Sequence, residues 1–114
     1  MGVAYHANYF VWFEVARCDL LRVFGETYRN LEAEGIYLPV VEAHCKFVSP
    51  ARYDDQLNIT TKANLKSQVR VEFSYKLERD KDHHLLATGR TIHASTDTHG
   101  KPQRLPKRLH TLLT

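Results

Sequence analysis

The sequence predicts an α+β domain in which one long helix packs against a curved antiparallel sheet. Near the start of the chain, Tyr9, Trp12, Phe13, Ala16, Leu20 and Phe24 recur at three- and four-residue steps and share one helical face. The second half alternates instead with period two, through residues 56–65, 68–80 and 84–97. The pattern is therefore one amphipathic helix followed by a meander of strands. No internal repeat or low-complexity stretch interrupts it.

The elements follow in order. Gly2 permits a tight turn that a residue with a Cβ would resist. Asn8 is a good N-cap, its side-chain oxygen free to accept from the amides of the next turn. Gly25 is the stop expected after the long helix, and Gly35 ends a shorter one over residues 28–34 in the same way. Residues 39–47 read as a strand, with Val40, Val41, Ala43, Cys45 and Phe47 in imperfect alternation. Residues 49–55 break that strand, and the three period-two segments follow. Residues 80–83 link the last two as a hairpin, and residues 98–102 form a turn. The tail from Pro106 to Leu109 predicts one helical turn.

A chain of 114 residues fits a single domain with a modest core, spanning residues 1–114. The 43% hydrophobic content argues against disorder. No apolar run approaches the roughly 20 residues of a membrane-spanning helix, so no membrane insertion is expected. A cytoplasmic location follows as the expectation. Cys18 and Cys45 have no motif spacing and predict reduced, buried thiols. The formal charge of +3 and a pI near 9 suit an anionic partner, either a nucleotide-bearing cofactor or RNA. No aromatic-rich RNA-recognition strand or helix-turn-helix pattern appears, so nucleic acid is not the expected partner.

Chemistry concentrates at the first helix. A tight loop feeding a buried helix leaves the N-terminal amides free to hold a developing negative charge, the arrangement of an oxyanion hole. Tyr5, Tyr9 and Trp12 form core or pocket wall, and Asn8 holds the turn. Glu14 sits beside Trp12 and Phe13, where a half-buried carboxylate could serve as a general base. Its alternative is a structural pairing with Arg17, one turn on. Seven histidines bring no His-x-x-x-His and the two cysteines no Cys-x-x-Cys, so no metal site is predicted. A Gly-x-Ser-x-Gly elbow is absent, and Cys18 has no His near it in sequence, so a nucleophilic triad has no support.

The opening segment, Gly2-Val3-Ala4-Tyr5-His6-Ala7-Asn8-Tyr9, resembles the active-site signature of the hotdog-fold acyl-CoA thioesterases. It is most similar to the branch of 4-hydroxybenzoyl-CoA thioesterase and the YbgC proteins. Segments 39–43, 50–57, 66–73, 87–89 and 100–106 resemble that family's later strands and turns. The resemblance implies a hotdog fold, hydrolysis of an acyl-CoA with a short aliphatic or aryl acyl group, and no metal or tightly held cofactor. It implies a homodimer or homotetramer as well. The family's catalytic Asp and first strand would precede Met1, so the resemblance makes the domain N-terminally incomplete.

The resemblance also implies site residues. The thioester carbonyl would rest against the amides around Tyr5 and His6, with the His6 ring lining the thiol end of the pocket. Gly2, Asn8, Tyr9 and Trp12 would shape the substrate site, with Glu14 as the remaining carboxylate. Lys66 and Ser67 match the positions near which relatives hold the nucleotide of coenzyme A, with Arg52 as a weaker second. Two rivals stay open. One is an impaired hotdog domain that binds acyl-CoA or a protein partner, and the other is a hotdog dehydratase.

Overall fold

The computed structural model describes residues 7–52 and 54–113, and the roles expected of Gly2, Tyr5 and His6 lie outside them. Helix α1 spans Ala7–Val23. Tyr9, Phe13, Arg17 and Leu21 are buried along it at four-residue steps, and Trp12, Ala16 and Leu20 pack half-buried beside them. Asn8 lies within helix α1 and is exposed, rather than standing at its N-cap. Gly25, at φ +77°, adopts the left-handed conformation that closes the helix. A short helix α2, Tyr28–Ala33, is capped by the Thr27 hydroxyl, which accepts from the Asn30 amide, and turns out through Gly35 at φ +82°.

Four strands follow: β1 (Val40–Phe47), β2 (Leu57–Ser67), β3 (Arg70–Arg79) and β4 (Leu85–Ala94). They form one antiparallel sheet in the order β1-β4-β3-β2. Val71, Phe73, Tyr75 and Leu77 project from β3 toward the helix, and all are buried. Their partners on β4, namely His93, Thr91, Gly89 and Ala87, share that face. Opposite them on β2, Leu65, Ala63, Thr61 and Ile59 complete the inner surface. The other face carries the charged and hydroxyl residues of the same strands, so the sheet has one apolar side and one polar side.

Strand β1 departs from this pattern. The register shifts between Val40 and Glu42, and every residue of the strand except the half-buried Cys45 is exposed. Val40, Val41 and Phe47 of this strand, and Val48 just after it, are 42–48% exposed, and among the described residues β1 pairs with β4 alone. The two cysteines are free and half-buried rather than buried, because each lies at the border of the core. At the C-terminus the expected single turn is a two-turn helix, α3 (Lys107–Leu113), which inserts Leu109 and Leu113 into the core. Arg108 ties it down, donating to the buried Glu26 carboxylate at 3.0 Å and to Glu34.

Candidate active site

The first turn of α1 is seated at one end of the sheet by aromatic packing and one hydrogen bond. The Tyr9 hydroxyl accepts from the buried Ala51 amide at 3.3 Å, and the Tyr9 ring meets Trp12 and Phe47 at centroid distances of 5.0 and 4.8 Å. One turn on, Phe13 stacks on Tyr75 of β3, centroids 4.3 Å apart and planes 11° from parallel. The helix start is thus fixed against two separate parts of the fold. The start of a helix also carries the positive end of its dipole.

The sequence-predicted residues divide into those gathered here and those placed elsewhere. Asn8, Tyr9 and Trp12 share the first turns of α1. Trp12 also walls a groove of about 670 Å³ between α1 and the outer edge of β2, with Ala16, Leu20, Leu57, Ile59 and Thr61. Glu14 is exposed, not half-buried, because it lies on the outer side of the helix. The alternative pairing with Arg17 does not form either. Arg17 follows Phe13 inward and donates to the Tyr75 hydroxyl at 3.1 Å.

The cationic candidates lie far apart. Arg52 is exposed beside Ala51, and so close to the seat of Tyr9. Lys66 and Ser67 are exposed at the other end of the 11-residue strand β2, which at about 3.3 Å per residue puts roughly 30 Å between the two ends. Within one protomer these groups do not form one site. Lys66 faces Glu72 at 3.6 Å, and the Ser67 hydroxyl accepts from the Val69 amide at 3.2 Å.

Near the helix start, Asp55 is a carboxylate the sequence reading did not single out. Its Oδ2 accepts from the Arg52 amide at 2.7 Å and from Arg79 Nε at 3.3 Å. The amide bond and then the Arg79 guanidinium hold its pKa below the usual carboxylate range. Such a group is a clamp for the turn before β2 and a poor proton acceptor.

Beneath α1 lies a buried polar chain. Tyr75 Oη is 2.7 Å from Thr91 Oγ1, Thr91 Oγ1 is 2.9 Å from His93 Nε2, and His93 Nδ1 is 2.9 Å from the Leu38 carbonyl oxygen. Burial pushes the His93 imidazole down to about 4, against the opposing pull of its bond to Leu38. Burial pushes the Tyr75 phenol up, despite its bonds to Thr91 and Arg17. No sequence spacing announces this chain, because its members lie on α1, β3, β4 and the segment before β1.

Comparison with known proteins agrees with this architecture. The model of the thioesterase-like superfamily matches residues 1–112, and the chain belongs to that family. It is 30% identical to the Escherichia coli acyl-CoA thioester hydrolase YbgC over 107 residues, 93% of this chain and 79% of that one. A 61-residue match to Bacillus subtilis YneP, at 38% identity, spans 54% of this chain and 44% of that protein. Among solved structures, the Staphylococcus aureus DHNA-CoA thioesterase superposes with a TM-score of 0.86 at 32% identity, covering 94% of this chain and 72% of that one. The Synechocystis 1,4-dihydroxy-2-naphthoyl-CoA thioesterase Slr0204 superposes at 0.91 over 98% of this chain and 83% of its own. At 24% identity that match speaks for the fold alone. The fold is the hotdog arrangement that the opening motif implies.

Proposed function

We propose that this member of the thioesterase-like superfamily hydrolyses an acyl-CoA, with a short aliphatic or aryl acyl group, to the carboxylic acid and free coenzyme A. The supporting observation is the rigid seat of α1's first turn, through Tyr9 on Ala51 and Phe13 on Tyr75. Oxyanion stabilisation requires donors that do not reorganise as charge develops, and a doubly anchored helix start meets that requirement.

In this reading the thioester carbonyl lies against the amides around Tyr5 and His6. Water adds to the carbonyl carbon, the oxygen becomes an alkoxide held by those amides, and collapse expels the coenzyme A thiolate. A carboxylate takes the proton of the attacking water. The alternative is attack by the carboxylate itself, giving a mixed anhydride that water then cleaves. Glu14, about 9 Å along the helix axis from Asn8, is the nearer of the two acids on α1 and the candidate for either role, Asp19 being paired with Arg22. No metal or resident cofactor takes part.

The working unit is a homodimer, or a tetramer built from it. Two protomers join along β1, where the exposed Val40, Val41 and Phe47, with Val48 just beyond the strand, supply apolar area. Arg52 then serves the nucleotide from the protomer that supplies the helix, and Lys66 with Ser67 from its partner. In this reading the enzyme works in the cytoplasm.

A second reading, capture of acyl-CoA without turnover, is favoured by one observation: Glu14 is exposed. Two substitutions test the hydrolytic reading. His6→Ala keeps the backbone N–H and is expected to be mild, whereas Gly2→Val displaces the turn. Loss of one oxyanion donor costs roughly 2.7–4 kcal/mol in transition-state stabilisation. If His6→Ala abolishes turnover and Gly2→Val does not, the imidazole acts directly and the backbone-donor reading is wrong. Hydration of crotonyl-CoA, followed as loss of the conjugated chromophore, would identify a dehydratase instead.

A further inference from the structure

The polar chain beneath α1 runs in one direction. The Leu38 carbonyl can only accept, so His93 Nδ1 carries the hydrogen at that 2.9 Å contact. The ring is buried and neutral at pH 7, which leaves Nε2 as an acceptor. Thr91 therefore donates to Nε2 at 2.9 Å, and Tyr75 donates its O–H to Thr91 at 2.7 Å. The Tyr75 oxygen accepts from Arg17 Nη1 at 3.1 Å. Each link fixes the next, from a guanidinium on the helix to a backbone carbonyl before β1.

The origin of the chain is unusual. Arg17 is 8% exposed, and among the described residues no carboxylate lies within ion-pair distance of it. Burying a cation without a counter-charge is costly, and a Leu or Met at this position would fill the same core space without that cost. What an apolar side chain would not supply is directional attachment. Apolar packing tolerates small slides of a helix, whereas a hydrogen bond weakens within a few tenths of an ångström.

The attachment point is Tyr75, which meets the helix twice. Its ring face carries Phe13, and its hydroxyl carries Arg17, four residues later. A single residue of β3 thus reads positions i and i+4 of α1. A slip of one residue, about 1.5 Å along the axis and 100° around it, would break both contacts.

We propose that Arg17 is a positioning residue for the thioesterase reaction, fixing the height and rotation of α1 through Tyr75, Thr91 and His93 so that the amides around Tyr5 and His6, which lead into the helix, meet the substrate carbonyl. This rests on the hydrolytic reading given above. Arg17 touches no substrate; it acts through the helix into which the donor segment leads.

The test is Tyr75→Phe, which keeps the ring stacked on Phe13 and removes only the hydroxyl, alongside Arg17→Met and Arg17→Lys. Turnover of an acyl-CoA and the backbone amide resonances of residues 8–11 are measured for each. Well below the unfolding temperature, Tyr75→Phe and Arg17→Met are expected to lower kcat by about tenfold to a hundredfold, the scale of a 1 Å misplacement. KM should stay within about twofold, as for donors that act in the transition state. The first-turn resonances should shift, and Arg17→Lys should fall between wild type and Arg17→Met. Wild-type kcat in Tyr75→Phe, or unmoved first-turn resonances, overturns the proposal. If Arg17→Met does not fold, Tyr75→Phe decides alone. A wild-type chain that releases coenzyme A from no acyl-CoA defeats the hydrolytic reading, and the resonances then still decide whether the chain positions the helix start.

Discussion

Gly89 lies directly beneath the ring of Phe13. A Cβ placed on Gly89 would stand 2.5 Å from Cε2 and 2.8 Å from Cζ of that ring, and 3.1 Å from the His44 carbonyl oxygen. The ring cannot swing clear, since Tyr75 stacks on it at 4.3 Å. The close approach of helix and sheet is therefore set by the absence of a side chain on β4. Gly89→Ala is expected to cost about 1–3 kcal/mol, as overpacking does, and Gly89→Val more. Chemical denaturation checks this, and pairing Gly89→Ala with Phe13→Leu should recover part of the loss. An additive double mutant would show that the two residues do not compete for the same space.

Tyr9→Phe removes the acceptor of the buried Ala51 amide while keeping the aromatic contacts with Trp12 and Phe47. An orphaned buried donor costs about 1–3 kcal/mol. Because this bond seats the first turn of α1, kcat should fall along with stability. A stable Tyr9→Phe variant with wild-type turnover would show that the bond does not hold the site.

The buried imidazole makes stability depend on pH. His93 titrates at about 4 in the folded chain and near 6.5 when unfolded. Between those values the unfolded state binds more protons, so stability rises with pH through this window and levels off above it. The shift corresponds to a loss on the order of 3 kcal/mol as pH falls from 7 to 4. The carboxylates with lowered pKa values, Asp55, Asp82 and Asp97 among them, lose their contributions only below the ordinary carboxylate range, a separate and more acidic window. Denaturation midpoints measured from pH 4 to 7.5 should therefore slope for the wild type and flatten for His93→Gln. Parallel slopes would place the acid sensitivity elsewhere.

Much of this fold was legible because local signals and tertiary packing agree. The stripe from Tyr9 to Leu20, the glycine stops at Gly25 and Gly35 and the alternation of β2 to β4 each specify an element without help from distant residues. The buried role of Arg17 was not legible. A lone arginine on a helix reads as surface, and its partner Tyr75 is 58 residues away. The exposure of Glu14 is illegible for the related reason that adjacency to Trp12 and Phe13 in sequence does not decide which side of a helix an acid occupies. The strand expected over residues 56–65 did foretell that Arg52 and Lys66 stand at opposite ends of β2, so that within one protomer they do not meet.

The exposure of β1 predicts self-association. Val41→Asp places a charge on the open edge strand, where it interrupts apolar contact with a second copy without touching the core. Sedimentation should show a dimer for the wild type and a monomer for Val41→Asp, and coenzyme A release should fall with dissociation. A wild-type monomer at micromolar concentration, with an intact fold, would remove the dimer and with it the shared nucleotide site.

Release of coenzyme A tests the central claim most directly. The chain is incubated with acetyl-, butyryl- and benzoyl-CoA, and the freed thiol is trapped and counted. Hydrolysis by a helix-start oxyanion hole predicts saturable release, one thiol per acyl group, with at least one of the three substrates turned over many times per protomer. Saturable binding of these acyl-CoAs with no thiol released would contradict the claim and identify a binding domain instead.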